Sequence, residues 1–173
     1  MKKILLILFM LQFIGCSNIP RHSFTSGKKF EHQGFSFEVG DVILVKRRAN
    51  PFAMFGHCAI VYDDGKVAEY PRYGYGCISS SLPDWLSYFS KKEIIILRAN
   101  LNETQKEEIN FLVYKYSKYK YGVIHSKLAS DEFYCSSYIY KIYYDLGIKI
   151  SDFKFLILPY DLYKSPVFTK LSL

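Results

Sequence analysis

Phe133-Tyr134-Cys135-Ser136-Ser137 is the stretch whose reading fixes the rest of the chain. Beyond it, Tyr138, Ile139, Ile142, Tyr143 and Leu146 recur at spacings of three and four, the pattern of an amphipathic helix with one buried face. Gly147 follows the last periodic residue and suits the helix stop. Cys135 therefore falls in the first turn of a predicted helix. Backbone N–H groups there lack intrahelical acceptors and the positive end of the dipole is close, so thiolate is favoured over thiol. The competing reading is a buried cysteine that packs as a small hydrophobe.

A nucleophilic cysteine needs a base, and the base needs an orienting group. The chain offers four histidines. His22 and His32 lie in or beside a polar N-terminal stretch and are read as exposed bystanders. His125 sits in a Lys/Tyr-rich loop over 117–130 with no rigid support. His57 directly follows Gly56 and opens a predicted strand, His57-Cys58-Ala59-Ile60-Val61-Tyr62, a better platform for a base than a loop. Asp63-Asp64-Gly65 then makes a hairpin turn, and Lys66-Val67-Ala68-Glu69-Tyr70 returns. With a three-residue turn, Tyr62 faces Lys66, and Glu69 lies on the face of His57 as a diagonal neighbour about 7–8 Å away at Cα. With a two-residue turn, Glu69 moves to the opposite face and is a solvated strand acid. Both registers are open at this point. Cys58 must point away from His57 and is expected in the core.

The remaining elements follow from local signals. Val42-Ile43-Leu44-Val45 and Glu93-Ile94-Ile95-Ile96-Leu97-Arg98 read as buried strands. Ser80 or Ser81 can cap a short helix with Pro83 in its first turn and Trp85, Leu86 and Phe89 on one face. Asn102 with Gln105 forms a capping-box pattern ahead of the stripe Ile109, Leu112, Val113 and Tyr116. Phe155-Leu156-Ile157-Leu158-Pro159 is expected to be a last short strand and turn. Strands come first, then helices mixed with single strands, which predicts an α+β domain without repeats.

Lys2 and Lys3 precede an apolar run over 4–14, too short to span a membrane and right for an export signal. Phe13-Ile14-Gly15-Cys16 resembles a bacterial lipobox. The expected organisation is a signal peptide over 1–15, a lipidated tether over 16–33 starting at Cys16, and a domain over 34–173. Acyl chains on Cys16 would make a membrane the first partner. Ser17 is not an Asp-type retention signal, so the expected address is the cell envelope, and the outer membrane in a diderm host. The net charge of +7 suits an anionic membrane or cell-wall polymer, and with no nucleic-acid motif nucleic acid is not an expected partner. Cys58, Cys77 and Cys135 remain, an odd number that argues against a full disulfide framework. No CxxC pair occurs, and neither a metal nor a cofactor is expected.

Five segments occur in a telling order: Val39-Gly40-Asp41-Val42-Ile43-Leu44-Val45, Phe55-Gly56-His57-Cys58-Ala59-Ile60-Val61, Ala68-Glu69, the Cys135 stretch, and Leu158-Pro159-Tyr160-Asp161-Leu162-Tyr163-Lys164-Ser165-Pro166. Together they resemble the circularly permuted NlpC-type cysteine hydrolases, the YiiX/YebB-like group, whose order is His first and Cys last. The resemblance implies a papain-like fold with the Cys135 helix packed on an antiparallel sheet. It implies Cys135 as nucleophile, His57 as base and Glu69 as orienting acid, with Tyr134 beside the site contacting substrate. It further implies helix N–H groups available for an oxyanion hole. Ser137 departs from the acid that the family often carries after Cys-Ser. The implied activity is a membrane-tethered cysteine hydrolase that cleaves an amide or ester in an envelope peptide or acyl lipid. One branch of relatives transfers acyl chains. The alternative is a catalytically inactive domain of the same fold that binds an envelope ligand.

Overall fold

The computed structural model describes residues 19, 23–46, 56–71, 74–122, 132–152 and 156–173. The expected signal peptide, Cys16, His22 and His125 lie outside the described residues. No helix among the described residues is long and apolar enough to cross a membrane.

An antiparallel sheet carries the molecule. Its central strands are β2 (Val42–Val45), β3 (His57–Tyr62), β4 (Lys66–Glu69) and β6 (Glu93–Ala99), with β1 (Thr25–Ser26) and β5 (Ile78–Ser81) at the two ends of the order β1-β6-β2-β3-β4-β5. A further strand, β9 (Phe168–Leu171), also pairs with β6, next to β1 on the same side. Side chains alternate across this sheet, and both faces are covered. Val42, Leu44, Cys58, Ile60, Ala68, Ile95 and Leu97 face one core, and Ile43, Val45, Ala59, Val61, Val67, Ile94 and Ile96 face the other. A sheet buried on both faces explains why the strands read as continuous apolar runs rather than alternating ones.

Helices α3 (Glu103–Tyr116) and α4 (Cys135–Asp145) cover the first face. α3 starts as its sequence predicts: Gln105 N–H donates to Asn102 Oδ1 at 2.9 Å, and Asn102 N–H to Gln105 Oε1 at 3.0 Å. Its stripe Ile109, Leu112, Val113 and Tyr116 is buried. α4 buries Tyr138, Ile139, Ile142 and Tyr143 completely, each such side chain contributing roughly 1.5–3 kcal/mol. Tyr143 also donates its hydroxyl to Gly40 O at 2.6 Å, which ties the helix to the turn before β2. The second face is covered by α1 (Gly27–His32) through Phe30, and by α2 (Leu82–Tyr88) through Trp85 and Leu86. Ser81 caps α2, accepting from Asp84 N–H at 3.2 Å.

Four expectations need correction. Residues 23–33, expected to be tether, belong to the fold. Thr25 pairs with Ile94, and Phe30 is buried against Phe35 and Phe37 in edge and tilted ring contacts. Leu156-Ile157-Leu158 forms no strand, and Pro159 opens a helix instead, α5 (Pro159–Lys164), where its fixed φ and missing N–H suit the first turn. The Lys/Tyr-rich loop contributes a small strand, β7 (Lys120–Tyr121), which pairs in parallel with β8 (Glu132–Phe133) just ahead of α4. Finally, Ile78–Ser81 and Phe168–Leu171 are strands although their sequences gave no strand signal.

Candidate active site

The β3–β4 hairpin decides what stands beside His57. Tyr62 pairs with Lys66, Val61 with Val67 and Ile60 with Ala68. The turn is therefore the three residues Asp63-Asp64-Gly65, all at positive φ (43°, 43° and 101°). Asp tolerates that left-handed region and Gly adopts it freely. Asp63 N–H is satisfied by Asn110 Oδ1 of α3 at 2.9 Å. This register puts Glu69 on the face of His57, and their side chains meet: His57 Nε2 lies 2.5 Å from Glu69 Oε2.

Glu69 is itself held. Its Oε2 accepts the indole N–H of Trp85 at 3.2 Å, and the residue is only 9% exposed. Trp85 stacks on Phe89 at 4.2 Å between centroids, and Phe89 stacks in turn on the His57 ring at 6.3 Å. α2 thus brackets the imidazole and the carboxylate from one side. Sequence reasoning placed Trp85 on the buried face of its helix but had no signal connecting it to Glu69, since that contact exists only once two sheet-spanning elements pack.

Cys135 enters from the other layer, as the first residue of α4. Tyr134 is the N-cap, and its N–H is satisfied by Ser137 Oγ at 3.0 Å. A hydroxyl of the first turn thus satisfies the amide that precedes Cys135. Cys135 is half-buried, hydrogen-bonded to the His57 side chain, and lines a cleft of about 720 Å³ together with His57, Glu69, Trp85 and Tyr134.

The electrostatics favour an ion pair. Burial alone would lower the His57 pKa. The hydrogen bonds and charges of Cys135 and Glu69 outweigh it and hold the imidazole at about 10. Cys135 is held well below the usual thiol range. The largest cause is the Cys58 side chain, opposed by burial and reinforced by the hydrogen bond and charge of His57 and by the Cys58 backbone. Burial pushes Cys58 itself well up, so it keeps its proton and is the donor toward the Cys135 sulfur. Cys58 is fully buried on the face away from His57, as strand alternation requires, yet it reaches the same sulfur because Cys135 sits where the two layers meet. Sequence alternation located Cys58 in the core and missed this contact. Cys77 is a different case: burial pushes its thiol up to about 11. All three described cysteines are free.

The sequence-predicted set is thus partly gathered. His57, Glu69, Cys135 and Tyr134 line one cleft. The Tyr134 hydroxyl accepts Ile157 N–H at 2.8 Å, and so has a structural partner. His32 is exposed on α1, outside the set of cleft residues. Among the described residues no three His, Cys, Asp or Glu side chains converge in a way that could hold a metal ion.

Known proteins bear on this geometry. No curated protein gives a significant match to the sequence. The crystal structure of YiiX from Escherichia coli O157:H7, described as a metalloprotein, has a similar fold, with a TM-score of 0.62 at 16% identity over 80% of this chain and 98% of that one. The family described as permuted papain-like amidase enzyme, YaeF/YiiX, C92 family, matches residues 36–166, a span that runs from just before β2 to the end of α5 and includes every cleft residue named above. With a family match over most of its length and the fold to go with it, the chain belongs to the permuted papain-like amidases of the YaeF/YiiX type.

Proposed function

We propose that the protein is a membrane-tethered thiol hydrolase that cleaves an amide or ester bond of an envelope substrate through Cys135, His57 and Glu69. The observation that carries this reading is the continuous contact Cys135–His57–Glu69–Trp85 along one cleft. Membership of an amidase family supports hydrolysis at the level of reaction class.

The steps follow from which atom holds each proton. Cys135 thiolate adds to the carbonyl carbon, and the electron pair moves to the carbonyl oxygen. The Cys135 N–H, in the first turn of α4 where amides lack intrahelical acceptors, is the candidate donor to that oxygen. As the tetrahedral species collapses, the leaving nitrogen or oxygen takes the proton of imidazolium His57, which leaves a Cys135 acyl thioester and a neutral imidazole. His57 then removes a proton from water as the water oxygen attacks the thioester. The acid departs, and thiolate and imidazolium are restored. Glu69 holds Nε2 and compensates the imidazolium charge, and Trp85 keeps Glu69 in place.

The tether belongs to the same proposal. Lys2 and Lys3, the apolar run over 4–14 and Gly15-Cys16 support export followed by lipidation of Cys16, with the cell envelope as the address. The test is turnover of muropeptides and of phospholipids, side by side, by wild type and Cys135→Ala. Cleavage of either substrate that disappears in the variant is the expected result. Cleavage retained by Cys135→Ala refutes the nucleophile, and binding of either substrate without cleavage favours an inactive ligand-binding domain.

A further inference from the structure

The row of residues that crosses the sheet at His57 also holds the point where the N-terminal segment joins it. Val45 pairs with His57 and with Ile94, and Ile94 pairs with Thr25. Thr25, the first residue of β1, is therefore three strand spacings, about 14 Å, from His57 and at the same end of the sheet. Two side-chain contacts agree. Lys46 Nζ, on the cleft wall, lies 5.7 Å from the centroid of the Phe24 ring. Ser23 Oγ lies 3.3 Å from Tyr163 Oη, about one turn along α5 from Pro159, which lines the cleft. The segment that leads back to Cys16 thus passes the rim of the cleft. Further back, Ile19 packs against the core under α3 and α4. Cys16 is three residues from Ile19, a reach of about 11 Å at full extension, so an acyl chain on Cys16 would hold the domain flush with a bilayer.

The same end of the sheet is basic. Ser26 pairs with Glu93, and Lys46 N–H donates to Glu93 O at 2.9 Å, in the row beyond Thr25. Outside that row, Gly27 N–H donates to Lys92 O at 2.9 Å and Lys28 N–H to Ser90 O at 3.3 Å. Two chain segments thus bring Lys28, Lys29, Lys91 and Lys92 together beside Lys46. Lys28, Lys29 and Lys91 are exposed, and Lys46 and Lys92 are half-buried. The acids in these segments are Glu93, bound to Lys46 at 2.5 Å, and Glu31 on α1. Lysine is in excess here, and each lysine close to an anionic bilayer adds roughly fivefold to binding. The far end of β3, five residues and about 17 Å away, carries the turn Asp63-Asp64-Gly65, where two carboxylates face one cation, Lys66. An anionic surface therefore attracts the cleft end and not the turn end.

We infer that the cleft end of the sheet is the bilayer-facing surface of the protein, with the rim of Lys28, Lys29, Lys91 and Lys92 docked on anionic lipid headgroups. The cleft then lies beside the headgroup layer, and the bonds within reach of Cys135 are those at the bilayer surface. The inference takes from the proposed function only the anchor at Cys16. The orientation can be read without any reaction, because Trp85 is the chain's single tryptophan and lines the cleft.

The experiment is energy transfer from tryptophan to dansyl-phosphatidylethanolamine in vesicles of phosphatidylglycerol or phosphatidylcholine that carry the full-length protein. Trp85 reports the cleft end. Phe111→Trp combined with Trp85→Phe reports the far end, since Phe111 is 58% exposed and follows Asn110, whose Oδ1 accepts Asp63 N–H at 2.9 Å. On phosphatidylglycerol, Trp85 should transfer at least about twofold more efficiently than the far-end probe, given ends about 17 Å apart. Lys28→Glu, Lys29→Glu and Lys91→Glu together should cut Trp85 transfer toward its value on phosphatidylcholine. Transfer from the far-end probe as efficient as from Trp85 overturns the orientation. Trp85 transfer that the three reversals leave unchanged overturns docking on anionic headgroups. Mass spectrometry of the same protein reads the acyl chains on Cys16 separately. Their absence, with transfer still favouring Trp85, overturns the lipid anchor and leaves the bilayer-facing surface standing. A protein that cleaves neither muropeptides nor phospholipids but keeps the Trp85 preference overturns the proposed reaction and not the surface.

Discussion

Glu69 Oε2 lies 2.5 Å from His57 Nε2 and accepts the Trp85 indole N–H at 3.2 Å, so one carboxylate oxygen joins the imidazole to the helix packed on that face of the sheet. Two roles meet in this atom. It fixes the ring so that its other nitrogen is free for Cys135, and it stabilises the positive form of the ring. Glu69→Gln keeps the size and removes the charge. Hydrolysis should fall by about 10²–10⁴-fold, the usual worth of a positioned acid–base group. The check is kcat with a substrate identified in the turnover assay, together with circular dichroism to show that the fold is retained.

Trp85→Phe tests the outer link of that chain. The ring stack on Phe89 survives, and only the N–H to Glu69 is lost. A hydrogen bond to a charged acceptor is worth about 1.5–3 kcal/mol, so a stability loss in that range is expected by urea unfolding. Activity should fall less than in Glu69→Gln, because Glu69 keeps its bond to His57.

Cys58 gives a prediction specific to this chain. Its thiol and backbone act on the Cys135 sulfur from the face away from His57. In Cys58→Ala the pH at which Cys135 becomes alkylatable should move upward, because a group that stabilises the thiolate has gone. Cys58→Ser restores a donor and should bring the profile back toward wild type. An unchanged profile in Cys58→Ala would show that His57 alone sets the thiolate.

Gly40 is a stability prediction away from the cleft. Its φ is +92°, and an added Cβ would lie 2.4 Å from Leu101 Cδ1 and 3.0 Å from Ile109 Cδ1. Gly40→Ala therefore combines a left-handed backbone, which costs about 1–2 kcal/mol, with overpacking that costs about 1–3 kcal/mol. A fall of about 2–5 kcal/mol in urea unfolding is expected. The adjacent Tyr143 hydroxyl bond to Gly40 O makes this turn part of how α4 is seated.

How much of this was legible in the sequence depends on whether the signal was local. The Asn102/Gln105 cap, the α4 stripe and the apolar strands each carry their reason within a few residues. The register of His57 and Glu69 was half legible. Alternation put both on one face only if the turn had three residues, and Asp63-Asp64-Gly65 fits either a two- or a three-residue turn by composition. The strand Ile78–Ser81 was not legible, because it ends the sheet order, is mostly exposed, and takes its place by pairing with β4. Phe30 sits in a polar stretch that resembles a linker, and only its burial against Phe35 and Phe37 makes that stretch part of the domain. The contacts of Trp85 with Glu69 and of Cys58 with Cys135 join elements distant in sequence, and no local pattern encodes them.

The pH dependence follows from the directions of the two shifts. Cys135 loses its proton well below the ordinary thiol value of 9.0, and His57 keeps its proton up to about 10. Reactive ion pair is therefore present from acidic pH upward and is lost as His57 deprotonates near 10. Hydrolysis should hold across neutral pH and decline on the alkaline side, where the leaving group no longer finds a proton on His57.

The central claim is tested most directly by alkylating the intact protein with iodoacetamide at pH 6 and locating the adduct by peptide mass spectrometry, in wild type and in His57→Ala. Rapid modification of Cys135, ahead of Cys58 and Cys77 and strongly slowed in His57→Ala, is the predicted result. An unmodified Cys135 at pH 6, or a rate that is the same with and without the imidazole, would contradict the account.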